Sequence, residues 1–267
     1  MLARLLPVVA VVVLTGCADG EAAEPVVYVA AASDTREAFT ELAAKLKDSD
    51  GIDVKFVFGS SGMLREQVLN GAPYDVYVSA NAAFVAEVVD AGFAQQANVR
   101  EYARGVLALI SRNGVELPKI SPTNGTLSGN GSAITLANFF SALDRRSRFA
   151  IANPAHAPYG VAAKESLESL GVYDEFADRL ILAENVADAV RIVAAGEADF
   201  GLVALALVRD RDHVDIDSGL HQPIRQTAAL TKRGENNPAA RKFIDLLVSP
   251  EGISVLVEYG FVVDGRQ

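Results

Sequence analysis

The stretch FVFGSSGMLREQV, residues 56–68, passes from one periodicity to another within a few positions. Phe56, Val57 and Phe58 form an apolar run of the kind a strand presents, and from Met63 onward the pattern is helical. Gly59, Ser60, Ser61 and Gly62 stand between them. A strand that turns directly into a helix is the joint of a βα unit, where a serine is first of all an N-cap. The flanking glycines do something more, because they let the backbone approach closely whatever sits at the joint.

The same joint recurs along the chain. VVYVAAAS (26–33) reads as a buried strand, followed from Asp34 to Lys47 by a helix with Ala38, Leu42 and Leu46 on one face. Asp34 with Glu37 three residues later fits a capping box at its start. YDVYVSA (74–80) is a strand and AAFVAEVVDAG (82–92) a helix ending at a glycine. GVLALIS (105–111), RFAIANP (148–154), FGLVAL (200–205) and IRQTAALT (224–231) are further strands, and helices are predicted near 159–170, 186–195 and the C-terminus. NGVELPKISPTNGTLSGNGSA (113–133), rich in Gly, Ser, Asn and Pro, reads as a surface loop. This βα rhythm predicts an α/β protein with a parallel or mixed sheet. No linker divides it, so if there are two lobes the chain crosses between them more than once.

In open α/β sheets ligands sit at the carboxyl ends of strands, against helix N-termini that offer free N–H groups and partial positive charge. The joints here carry Ser33, Ser60-Ser61-Gly62, Ser79, NPAHAPYG (153–160) and ENVADA (184–189), with no Lys or Arg among them. Neutral donors without a fixed countercharge suit a desolvated oxyanion. The net charge of −10 argues against a nucleic-acid surface, which would need a basic stripe. A serine hydrolase would need a glycine two residues after its nucleophile, but Met63 stands there relative to Ser61. His156, His213 and His221 have no metal spacing, and His156 reads as ordering its Pro-rich turn. DRDHVDID (210–217) lacks the order of a calcium loop and reads as a solvated connection.

The first residues are a separate segment. Arg4 precedes ten apolar residues (5–14), too few to span a bilayer but suited to a signal-peptide core. LTGC (14–17) resembles a bacterial lipobox, which implies cleavage before Cys17 and a lipid on it. Cys17 is the only cysteine in the chain, and residues 18–25 read as an acidic tether.

AAAS, FGSSGMLREQVLNGAPYDVYVSA, YARGVLAL, IANPAHAPYGVAAKESLESLG, AENVADAVRIVAAGEADFGLVAL and the C-terminal YGF follow one another in order. Together they resemble the periplasmic molybdate-binding proteins of bacterial ABC transporters, with GAPYDVYVSA and NPAHAPYG as the sharpest signatures. The resemblance covers essentially the whole chain after the leader. It implies a type II periplasmic-binding-protein fold, two α/β lobes with mixed sheets joined by two crossing strands. Residues 1–16 would be the signal peptide, 17–25 the tether, 26–103 with 226–267 lobe 1, and 104–225 lobe 2. It implies no enzymatic activity, no cofactor, and capture of molybdate or tungstate by an extracytoplasmic, lipid-anchored monomer that serves a permease with a cytoplasmic ATPase. Carried onto this sequence, the ligand residues are Ser33, Ser61, Tyr159 and the backbone N–H of Val186, with Ser60, Asp34 and Ala204 as further pocket residues.

One departure stands out. Many members place a tyrosine where this chain has Ala204, and alanine at the turn where it has Tyr159; the phenolic donor would then have moved between two segments of lobe 2. Sulfate is smaller than molybdate. Phosphate keeps a proton near neutral pH and would want an acceptor, for which Asp34, read as a cap, is the nearest candidate.

Overall fold

In a computed structural model the protein is described at residues 25–117, 120–121, 126–129 and 132–263. The signal segment, Cys17 and all of the tether but Pro25 lie outside the described residues. The chain runs β1 (Val26–Ala32), a 3-10 turn (Ser33–Thr35), α1 (Arg36–Asp50), β2 (Asp53–Gly59), α2 (Ser61–Leu69), β3 (Val76–Ser79), α3 (Ala82–Asp90) and β4 (Ala94–Gly105). It continues through β5 (Leu107–Ser111), β6 (Ile120–Ser121), β7 (Thr126–Gly129), β8 (Ser132–Thr135), α4 (Leu136–Ala142), β9 (Phe149–Ala152), α5 (Pro158–Ser169) and α6 (Tyr173–Phe176). The last elements are β10 (Leu180–Ala183), α7 (Val186–Ala194), β11 (Phe200–Ala204), β12 (Val214–Asp215), β13 (Ile224–Thr231), α8 (Pro238–Leu247) and α9 (Pro250–Glu258).

Two mixed sheets make two α/β lobes. The first has the order β2-β1-β3-β13-β4 and the second β10-β9-β11-β5-β12. In each, three neighbouring strands are parallel and the remaining pairings are antiparallel. β3, β9 and β11 are buried along their whole length, which is why their sequences are continuous apolar runs rather than alternations. Lobe 1 packs Phe39, Phe56, Tyr102 and Phe243 on one face of its sheet and Leu64, Tyr77 and Val85 in a separate cluster. Lobe 2 centres on Phe140, Phe149, Phe176 and Phe200, whose rings meet edge-on, tilted or stacked.

The chain crosses between sheets twice, from β4 into β5 and from β12 into β13. β4 and β13 pair antiparallel beside the crossing, with Ile224 opposite Gly105, and the register shifts between Gln226 and Thr227. Gln226 faces Ala103 and Thr227 faces Glu101, so Tyr102 is the extra residue of a bulge.

The structure adds one strand and corrects two sequence readings. β4 is a strand that the pattern does not announce, because it is an edge strand whose middle is exposed and polar. The segment expected to be a surface loop carries β6, β7 and β8, a small antiparallel sheet of its own. α1 starts at Arg36 rather than Asp34, and neither it nor the 3-10 turn before it has a side-chain cap.

Candidate functional site

The carboxyl ends of β1 and β2 meet the N-termini of α5 and α7 across a narrow cleft. Ala32, Ser33, Asp34, Gly59, Ser60, Ser61, Ala80, Ala157, Pro158, Tyr159 and Val186 line it, with no lysine, arginine or histidine among the described residues of the lining. Ser33, Ser60, Ser61, Asp34, Tyr159 and Val186, singled out from the sequence, are therefore brought together from both lobes. The space between the walls is about 10 Å³, close to what one water needs. A larger hollow along the crossing strands, lined by Arg104, Leu107, Ile216, His221 and Ile224, has none of the joint residues and no α-helix N-terminus among its described lining.

Three helices point their first turns at the cleft, where N–H groups have no helical acceptor. At α2, Ser60 is the N-cap and its Oγ accepts from Met63 N at 3.4 Å. At α7, Asn185 caps by accepting from Ala187 N and Asp188 N, which leaves Val186 at the cleft wall. α5 has no side-chain cap and begins with Pro158, so its first-turn donors begin at Tyr159. Ser61 is locked from behind: its Oγ accepts from Ala80 N at 3.1 Å and its carbonyl from the buried Tyr77 hydroxyl at 2.7 Å.

The lobes touch across this cleft. Gly62 N donates to His156 O at 2.9 Å, and Ser60 Oγ lies 2.8 Å from His156 Nδ1. Ala187 N donates to Ser33 Oγ at 3.4 Å. His156 does more than order its own turn, since it is the residue of lobe 2 that reaches the serine joint of lobe 1. A Cβ on Gly62 would lie 2.7 Å from His156 O, so only glycine permits the approach.

Asp34 is not a cap. It is 1% exposed, and its Oδ2 accepts from Gln226 Nε2 at 2.5 Å while Oδ1 has no hydrogen-bond partner. Gln226 in turn accepts from the Tyr102 hydroxyl at 3.2 Å, the two side chains being turned inward at the bulge between β4 and β13. Tyr159 brings its phenol to the same spot; a Cβ on Gly105 would lie 2.1 Å from that oxygen and 3.1 Å from Gln226 Nε2. The Tyr159 hydroxyl is buried and meets no partner at hydrogen-bonding geometry. Burial pushes the Asp34 carboxyl up, the Gln226 amide and then the nearby Tyr159 hydroxyl pull it back, and the balance leaves it at about 6. Burial, followed by the Asp34 charge, holds the Tyr159 phenol well above its ordinary value, so it stays protonated. Nothing in the local sequence signals this cluster, because its members come from four separate elements.

The family model described as bacterial extracellular solute-binding protein matches residues 27–262. The chain belongs to this family of solute-binding proteins. This solute-binding protein is 30% identical over 258 residues to the molybdate-binding protein of Rhodobacter capsulatus, covering 96% of this chain and 95% of that one. It is 32% identical over 254 residues to that of Azotobacter vinelandii, with 93% of each chain covered. Its structure is similar to the periplasmic molybdate-binding protein of Azotobacter vinelandii, with a TM-score of 0.77 and 28% identity over 90% of this chain and 100% of that one. Family membership places it among extracytoplasmic proteins that bind solutes rather than transform them. Among its described residues no helix is long and apolar enough to cross a membrane. Ala204, the remaining residue singled out from the sequence, does not line this solute-binding protein's cleft: it is fully buried in β11, paired with Leu107.

Proposed function

We propose that this chain is a receptor that captures molybdate, and tungstate with it, and delivers the anion to an ABC permease driven by a cytoplasmic ATPase. One observation carries the reading: Ser33, Ser61, Tyr159 and Val186 converge, with three helix N-termini, on a cleft that holds no cationic side chain. Such a site suits a dehydrated oxyanion held by neutral dipoles. The names of the relatives in Rhodobacter and Azotobacter support the choice of molybdate.

Binding works by closure. Each lobe alone offers half of the donors, so the anion favours the form in which both reach it. The Ser33 hydroxyl and Ala187 N–H, now bonded to each other, would turn to the anion as the walls part slightly to admit it. The hinge falls at the crossing strands, with lobe 1 at 26–103 and 226–267 and lobe 2 at 104–225. Tyr159 supplies the phenolic donor missing at Ala204; loss of affinity in Tyr159→Phe would support this, and unchanged affinity would end it. The LTGC motif supports a lipid on Cys17 that tethers a monomer to the membrane.

A second reading, a receptor for hydrogen phosphate, is favoured by the buried acceptor Asp34 in the cleft wall. Thermal unfolding with molybdate, tungstate, sulfate and phosphate in turn separates the two. A ligand at 100 times its dissociation constant adds about 2.7 kcal/mol. A rise with molybdate and tungstate alone is the expected result; a rise with phosphate alone would replace it by the second reading.

A further inference from the structure

We propose that capture of the oxyanion takes up one proton from solvent, which Asp34 holds as the carboxylic acid while the anion is bound. The inference rests on the oxyanion-receptor reading and adds the residue that sets the charge state of the liganded cleft.

The argument is one of uncompensated charge. Asp34 lines the same cleft as Ser33, Ser61, Tyr159 and Val186, so an anion among those donors sits beside its carboxyl. An anion and an ionised carboxylate cannot share a desolvated space without a cation between them. Among the described residues, the groups that face Asp34 provide none. Its own turn offers backbone N–H groups, β4 brings Tyr102, β13 brings Gln226 and α5 brings Tyr159. The turn at Leu205–Leu207 packed against it is uncharged. α7 contributes Asp188, which is bonded to Arg191 and the Glu184 N–H. Arg36, two residues on, is exposed with its guanidinium 4.5 Å from the centre of the Phe58 ring. Glu37 is exposed as well.

The carboxyl is already prepared for protonation: burial, outweighing the hydrogen bonds that favour the charged form, holds it at about 6, and a neighbouring dianion pushes it further up. One of its oxygens lacks a partner, as does the Tyr159 hydroxyl beside it. A proton on Asp34 gives the cluster one more donor and removes its charge. Molybdate, a dianion at neutral pH, brings no proton, so the proton comes from solvent. Affinity for molybdate should then fall as pH rises above about 6, by up to about tenfold per unit. The slope of the wild-type protein sums every group whose protonation changes on binding, so it does not by itself isolate Asp34.

Calorimetry with sodium molybdate at pH 7.5, in buffers of different ionisation enthalpy, counts protons directly. The wild-type protein should take up close to one proton more than Asp34→Asn, since every other titratable group is common to both. Equal uptake would overturn the proposal while leaving the receptor reading intact. If Asp34→Asn does not fold, the infrared difference spectrum of the wild-type protein decides: a carboxylic-acid carbonyl band should grow on adding molybdate, and its absence would overturn the proposal. No heat with molybdate or tungstate would sink the receptor reading and this inference together.

Discussion

The joints after β1 and β2 lie side by side on parallel strands, and both put a serine and a small residue at the cleft. They are nevertheless built on different principles. The joint after β2 obeys local rules: Ser60 caps α2, and the glycines around the serines leave room for the opposite lobe. The joint after β1 has no capping side chain at all, and its acidic residue is spent on a hydrogen bond to Gln226, 192 positions away. One joint is a docking point for the other lobe and the other is a charge store beside the crossing strands.

The largest test of that difference is the stability of Asp34→Asn. The carboxyl gives up its proton at about 6 when folded but at its ordinary 3.8 when free, so the native state binds more protons between those values. Stability is therefore lost as pH rises through that window, by about 2–3 kcal/mol in all, and stays lost above it. Asp34→Asn should be more stable than the wild type by about that amount at pH 8, with the gain shrinking to nothing near pH 4. Urea unfolding at the two pH values measures it. An equal gap at both would mean that Asp34 is no charge store and that the contrast between the joints is only one of shape.

Gly62→Ala probes the other joint. The added Cβ would meet the His156 backbone at 2.7 Å, and backbone cannot swing aside as a side chain can. The lobes should be held apart, weakening molybdate binding by at least about tenfold, or 1.4 kcal/mol. The fold itself should stand, because alanine is the better helix residue. A dissociation constant within about twofold of wild type would show that the liganded lobes do not meet at Gly62.

The contrast also marks how far the sequence could be read. Local rules mark the serine joint, the α5 turn and the start of α7, the family resemblance picks Tyr159 and Val186 within them, and those residues line one cleft, although Ser79, marked by the same local rules, does not. Asp34 followed by Glu37 satisfies the same local rule and was misread, since what claims Asp34 comes from β13. Tyr102 and Gln226 were not seen because they meet only through a bulge in strand pairing 124 residues apart. β4 was hidden by its exposed edge. Local chemistry was legible, whereas contacts made by the crossing strands were not, and those strands are where the two lobes are coupled.

Ser60→Ala is the smallest effect and the one that separates two roles of a single hydroxyl. Ser60 Oγ accepts from Met63 N within lobe 1 and pairs with His156 Nδ1 from lobe 2, and the second bond is the shorter. The cap exists whether or not the lobes meet, so its loss should cost about 1 kcal/mol of stability in any state. The His156 bond exists only when the lobes are together, so its loss should weaken ligand affinity and leave an isolated lobe untouched. A double-mutant cycle with His156→Ala tells the two apart. Unfolding without ligand should show the cap loss from Ser60→Ala in both backgrounds. Molybdate affinity should instead show coupling, with the second substitution costing less than it does alone. If affinity were additive too, the 2.8 Å contact would contribute nothing to holding the lobes together, and closure at this joint would rest on Gly62 alone.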